Sequence, residues 1–245
     1  MNKPAEPSTA EQLLAQAIGH LNAGRREQAG ALCEQALGLS PPHPGVLQLR
    51  ALLHLQDREW AAARIQAEAS LALRPDHAPT LLIAGDAARS LGDLAAALRH
   101  HQRAQALLPQ RADAALALGL TLHACGRPVA AQEALARVIA LAPAQVDAWF
   151  ALGLVRQDLQ DAAGATEAFR QVLRLAPGRA DAAVNLGIVL QDSGDFAQAM
   201  QAYRKAYHLR QDTFGRIATA LTSSAHGALW CNLDALRAEL AAPPA

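Results

Sequence analysis

A chain of 245 residues with 22 basic and 22 acidic side chains has no formal net charge. The two signs are interspersed rather than blocked, which excludes the electrostatic footprint of a nucleic-acid or anionic-membrane binder. Of the residues, 51% are apolar but only 4% aromatic, and the apolar share is mostly Ala and Leu, good helix formers and poor strand formers, so an all-α chain is expected.

The first nine residues are polar, contain Pro4 and Pro7, and show no apolar h-region after Lys3. They are expected to form a disordered tail (1–9), and with no uninterrupted apolar run of membrane length the protein is expected to be soluble and cytoplasmic. The preference for Arg over Lys beside so much Ala fits a GC-rich bacterial genome. Cys33, Cys125 and Cys231 are widely separated and lack CxxC spacing, which argues against a disulfide framework or a zinc site and fits a reducing compartment.

From residue 10 onward the chain repeats. Pro41, Pro75, Pro109, Pro143 and Pro177 recur at one fixed interval, as do Ala29, Ala63, Ala97, Ala131, Ala165 and Ala199. A third series holds only small residues: Ala17, Ala51, Gly85, Gly119, Gly153 and Gly187. Two antiparallel helices approach closely only where neither has a bulky side chain at the crossing, so each interval reads as a helix pair in which the small residue of the first helix meets the Ala of the second. Each proline ends a second helix, because it lacks an N–H and disfavours helix for its predecessor. Gly24, Gly92, Gly126 and Gly194 mark the turn inside a pair, with Arg58 and Gln160 at the matching places in the second and fifth intervals.

The interval and its landmarks resemble the tetratricopeptide repeat (TPR) family. Laid on the family pattern, the chain divides into units 10–43, 44–77, 78–111, 112–145, 146–179 and 180–213. The fifth matches best, with Trp149, Leu152 and Gly153 in its first helix and Ala165, Phe169 and Pro177 in its second. The sixth has Leu186, Gly187, Ala199 and Tyr203 but Gln211 in place of the proline, so its second helix is expected to run past Leu209. The resemblance implies an all-α, right-handed superhelix of antiparallel helix pairs, an α-solenoid whose first helices line a concave groove that binds a peptide or helix of another protein. It implies no catalytic activity and no cofactor.

Positions 5, 9 and 12 of each first helix share one face. They place Leu52, Leu82, Asp86, Arg89, Leu116, Leu120, His123, Phe150, Leu154, Gln157, Val184 and Ile188 in the groove, with Asn185 beside them. Most are apolar, and an apolar patch of this kind calls for a covering partner segment. Asp86 and Arg89 are i,i+3 neighbours and His123 takes Arg89's position one unit later, so the three are expected to form a polar node. The carboxylate clamp of some TPR domains is absent, since Val184 and Ile188 stand where it needs Lys and Asn. Asn185 matches a single rung of the asparagine ladder of O-GlcNAc transferase repeats. The nine histidines show no paired ligand spacing, so no metal is expected. His101 and Cys33 fall at the register of Phe169 and read as packing residues.

The segment 214–245 is read as two further helices that leave the interval. Phe214, Ile217 and Leu221 have helical spacing with Thr213 as a cap, and Asn232 precedes Leu233, Leu236 and Leu240. With Leu229 and Trp230, these residues are expected either to cap the array or to dock a partner or a second copy. The functional reading is a non-enzymatic protein–protein adaptor for an apolar peptide or amphipathic helix, with no nucleic acid or membrane. Two alternatives stand beside it: an accessory subunit that selects substrates for a separate polypeptide-modifying enzyme, and a scaffold that dimerises through its tail.

Overall fold

The ends of the helices follow from short-range chemistry. In a computed structural model describing residues 9–39, 42–223 and 232–242, the side chain of Thr9 accepts a hydrogen bond from the Gln12 N–H, and the Gln12 Oε1 accepts one from the Thr9 N–H. This reciprocal box satisfies two N–H groups that a helix start leaves unpaired. Asp93, Asp161 and Asp195 each satisfy one such group at the start of three second helices by accepting from the N–H of Ala96, Gly164 and Gln198. The residue before the capping position is in the left-handed region at Gly24, Gly92, Gly126 and Gly194, and also at Arg58 and Gln160, each with φ of 61°. A side chain in that conformation costs about 1–2 kcal/mol, so the turn geometry is imposed by the packing of the pair even where glycine is missing.

The described residues fold into fourteen α-helices and no strand. They fall into two compact units, residues 1–125 and 126–245. The first contains α1 (Ala10–Asn22), α2 (Arg26–Leu37), α3 (Pro44–Gln56), α4 (Trp60–Leu73), α5 (Ala78–Ser90), α6 (Leu94–Leu107) and α7 (Ala112–Ala124). The second contains α8 (Pro128–Leu141), α9 (Val146–Asp158), α10 (Ala162–Leu175), α11 (Ala180–Asp192), α12 (Phe196–Leu209), α13 (Phe214–Ser223) and α14 (Leu233–Ala241). Consecutive helices pack as pairs within each unit. The polar tail 1–8 lies outside the described residues.

The small first-helix residue does not face the second-helix Ala alone, as the spacing suggested. A Cβ built on Gly153 would lie 2.6 Å from the Phe169 ring, and one on Gly187 would lie 2.4 Å from the Tyr203 ring. At Gly85 the neighbour is the His101 imidazole, 2.2 Å away. Each glycine is therefore a notch that receives a ring from four residues beyond the conserved Ala, and all three rings are fully buried.

Helix α12 ends at Leu209 without a proline and does not run on as expected. Arg210 turns extended (φ −153°, ψ 111°), much as Arg74, Leu108, Ala142 and Ala176 do before their prolines. A short 3-10 turn, Gln211–Thr213, follows. The Thr213 hydroxyl donates to the Arg210 carbonyl, 2.7 Å away, instead of capping α13. The stop is enforced from beyond the helix, because burying Ile217 and Leu221 requires the chain to turn there. Helix α13 begins 34 residues after Ala180 and so keeps the interval that the sequence suggested it abandons. Leu221 occupies the register of the small-residue series.

Candidate functional site

In the first unit Leu52, Leu82, Leu116 and Leu120 are each half-buried on the first helices. Their aliphatic surface is covered by the chain in part only. On α5, beginning one turn beyond Leu82, sits a polar cluster. The Arg89 guanidinium donates to Asp86 Oδ1 at 2.9 Å, with both side chains about a third exposed. His101 joins them, and His123 lies half-buried on α7. His101 Nε2 is 3.8 Å from Asp86 Oδ1, and His101 Nδ1 is 2.7 Å from the Thr121 hydroxyl. That hydroxyl already donates to the Ala117 carbonyl, so it accepts from His101, which places the ring proton on Nδ1. Burial holds the His101 imidazole below its usual titration range, opposed by the nearby Asp86 carboxylate. His101 was missed as a node member, although its register opposite Gly85, the neighbour of Asp86, carried the signal.

In the second unit Phe150, Leu154, Gln157 and Ile188 are half-buried. Phe150 packs edge-on against Phe169, with centroids 5.8 Å apart, and Arg179 lies over its ring at 4.9 Å. Asp147 and Asp181 hold that guanidinium at 3.0 and 2.9 Å, and the hydrogen bonds to them raise its pKa. The ring is thus partly roofed by an arginine that is itself paired.

Two residues assigned to the groove are not available to a partner. Val184 is fully buried, and Asn185 is 6% exposed with its Oδ1 accepting from Arg216 of α13 at 3.1 Å. Gln191 is closed in the same way: it donates to the Ala220 carbonyl and accepts from the Tyr203 hydroxyl. The physical reason is that α13 stacks on α11 where the first helix of a further pair would lie. Ile188 remains at the wall of a cavity of about 510 Å³, which Arg216 and Thr219 of α13 also line.

The tail residues divide. Ile217, Leu221 and Leu236 are at most 1% exposed and, with Leu240, belong to the core cluster of Phe169 and Tyr203, so none of them docks a partner. Helix α14 lies against α12 and is pinned by the Arg204–Glu239 ion pair and by His208 at the Ala242 carbonyl. Asn232 caps α14 as its sequence suggested, accepting from Asp234 and Ala235. Phe214 is half-buried between Tyr207 and Arg237, and Leu233 is 53% exposed. Leu229 and Trp230 lie outside the described residues. Cys33 is a core side chain whose thiol is pushed up to about 11 by burial. Among the described residues no group of His, Cys, Asp or Glu is arranged to hold a metal ion, and no helix is long and apolar enough to cross a membrane.

Residues 150–215 match the tetratricopeptide repeat family model, and the helix pairs align with solved repeat proteins. The fold is a tetratricopeptide repeat fold. PilF of Pseudomonas aeruginosa superposes with a TM-score of 0.69 at 18% identity, over 82% of this chain and 92% of its own. MamA from Desulfovibrio magneticus RS-1 gives 0.64 at 21%, over 69% and 96%. YrrB, described as a TPR protein with an unusual peptide-binding site, gives 0.61 at 21%, over 74% and 93%. At these identities the likeness is one of fold. No curated protein matches this chain in sequence.

Proposed function

We propose that this protein is a non-enzymatic, cytoplasmic adaptor whose first-helix faces bind an apolar peptide or amphipathic helix of a partner protein. One observation carries the reading. The aliphatic side chains Leu52, Leu82, Leu116 and Leu120 in one unit, and Leu154 and Ile188 in the other, are covered only in part by the chain that presents them. Exposed apolar surface of this kind, interrupted by a polar node, favours a partner that supplies aliphatic side chains and a hydrogen-bonding group in register. Asp86 and Arg89 suit that register role, because their exposed pairing contributes little by itself. The peptide-binding site in YrrB's description supports the same reading. Val184 and Asn185 are left out of the contact surface, and a dimer through the tail would have to form without Ile217, Leu221 and Leu236.

The test is a double substitution, Leu120→Asp with Leu154→Asp. It should abolish capture of the partner while leaving far-ultraviolet circular dichroism unchanged. Undiminished capture by that variant sinks the reading.

A further inference from the structure

The second helices α10 and α12 wall a channel of about 420 Å³ whose floor includes Leu186 and Leu190 of α11. Its walls are second helices and its floor is the side of α11 opposite Ile188, so it is distinct from the first-helix groove positions. Its rim is cationic: Arg170 and Arg174 project from α10 and Lys205 from α12, and no carboxylate is among the described residues that line it. Arg170 reaches across to Gln198, 2.7 Å away, and so bridges the two walls with a neutral acceptor. Arg174 is drawn back along its own helix to Glu167 at 2.6 Å, but both partners are more than half exposed. Such a pair is worth little and exchanges readily for a better acceptor. Lys205 has no partner among the described residues.

The repeat itself shows that the fold does not require these cations. The positions of Arg170 and Arg174 are filled in the first four units by Glu34 and Gly38, Glu68 and Ala72, Gln102 and Ala106, and Ala136 and Ala140, and in the sixth by Arg204 and His208. At this register a pair of arginines appears in the fifth unit alone, and the facing lysine belongs to the sixth. An apolar floor between rows of cations is complementary to a segment that offers an aliphatic side chain flanked by carboxylates. Guanidinium–carboxylate hydrogen bonds would fix its register, and the floor would bury its apolar centre.

We propose that the α10–α12 channel is a second docking site, which takes an acidic segment of a partner protein built around an aliphatic side chain. The decisive experiment pans a display library of random peptides of about twelve residues on the full-length protein. The enriched peptide is then titrated by fluorescence anisotropy. Enrichment of Asp and Glu around Leu, Ile or Val is expected. Arg170→Glu/Arg174→Glu/Lys205→Glu should weaken the titrated peptide by about tenfold or more, as should the neutral Gln triple variant, because the lost contacts are charge-assisted. All three side chains are at the surface, so circular dichroism should match the wild type. Leu120→Asp/Leu154→Asp should bind the peptide normally, which separates this site from the first-helix faces. The proposal is overturned if no acidic consensus emerges, if the charge-reversed protein binds equally well, or if only the first-helix variant loses binding. Binding of the cations to anionic vesicles or RNA without acidic peptides would overturn it too.

Discussion

The helix pairs of the two units solve one packing problem with different volumes. In the first two pairs of the first unit, Ala17 and Cys33 share a small core cluster, as do Ala51 and Ala67, while the third pair already sets the His101 ring into Gly85. In the second, Gly153 and Gly187 give up their side chains so that Phe169 and Tyr203 can fill the crossing. A small residue against a small one gives way to a notch that receives a ring, and more volume fills the crossing. The ring solution also reaches farther. Phe169 and Tyr203 belong to one continuous cluster that extends through Ile217 and Leu221 to Leu236 and Leu240. The alanine solution leaves separate clusters around α1–α3 and α3–α5.

The difference can be broken most directly at the rings. Phe169→Ala or Tyr203→Ala should cost about 3–5 kcal/mol in urea unfolding, whereas Cys33→Ala should cost about 1 kcal/mol, in proportion to the volume removed. Gly187→Ala alone drives a methyl into the Tyr203 ring and should cost about 1–3 kcal/mol. Combined with Tyr203→Ala, it recreates the Ala51/Ala67 arrangement, so the double variant should lose less than the two single costs added together. Simple additivity would show that the notch and the ring are not a coupled pair.

Next in size is the reach of the cluster into the tail. Leu236→Ala with Leu240→Ala should remove about 2–5 kcal/mol per side chain from the anchoring of α14. The readout is amide exchange, faster across 232–242 and unchanged in the first unit, since stability in such arrays is passed between neighbours. Loss of protection in α1–α4 would contradict the separation of the cores.

A smaller effect distinguishes the notch that holds an imidazole. Burial keeps the folded His101 below its ordinary pKa of 6.5, so the unfolded chain takes up the proton first. Stability is therefore present above about pH 6.5 and is lost as the pH falls below it. His101→Phe, which copies the Gly153/Phe169 arrangement, should flatten part of that loss between about pH 7 and pH 5. His77 and His100, also depressed by burial, account for what remains. An unchanged slope would remove His101 from the explanation.

The smallest effects sharpen the comparison at the turns. Arg58→Gly in one unit and Gln160→Gly in the other should each raise stability by up to about 1 kcal/mol, the relief of left-handed strain less the added freedom of the unfolded glycine. Destabilisation at either site would mean that the side chain contributes more than its backbone costs.

How far the candidate site could be read in advance varied with the kind of contact involved. The aliphatic members were legible, because positions on one helical face follow from 3.6 residues per turn. Asn185 and Val184 were misplaced, because whether a face stays open depends on what stacks on it, and the element that does so begins after the last proline of the ruler. The polar node was half legible. Asp86 and Arg89 meet along one helix, whereas His101 arrives from α6 through the notch at Gly85, a contact that spacing along a single helix does not reveal.

By itself the amino-acid sequence determined the helical class, the pairing interval and the places where second helices stop, because proline geometry, small-residue spacing and helical periodicity act within a few residues of chain. Tertiary structure alone decided three matters: that α12 stops without a proline, that a seventh first helix closes Asn185, and that rings enter the notches. Each depends on which surfaces become buried together, and burial is a property of neighbours in space rather than in sequence.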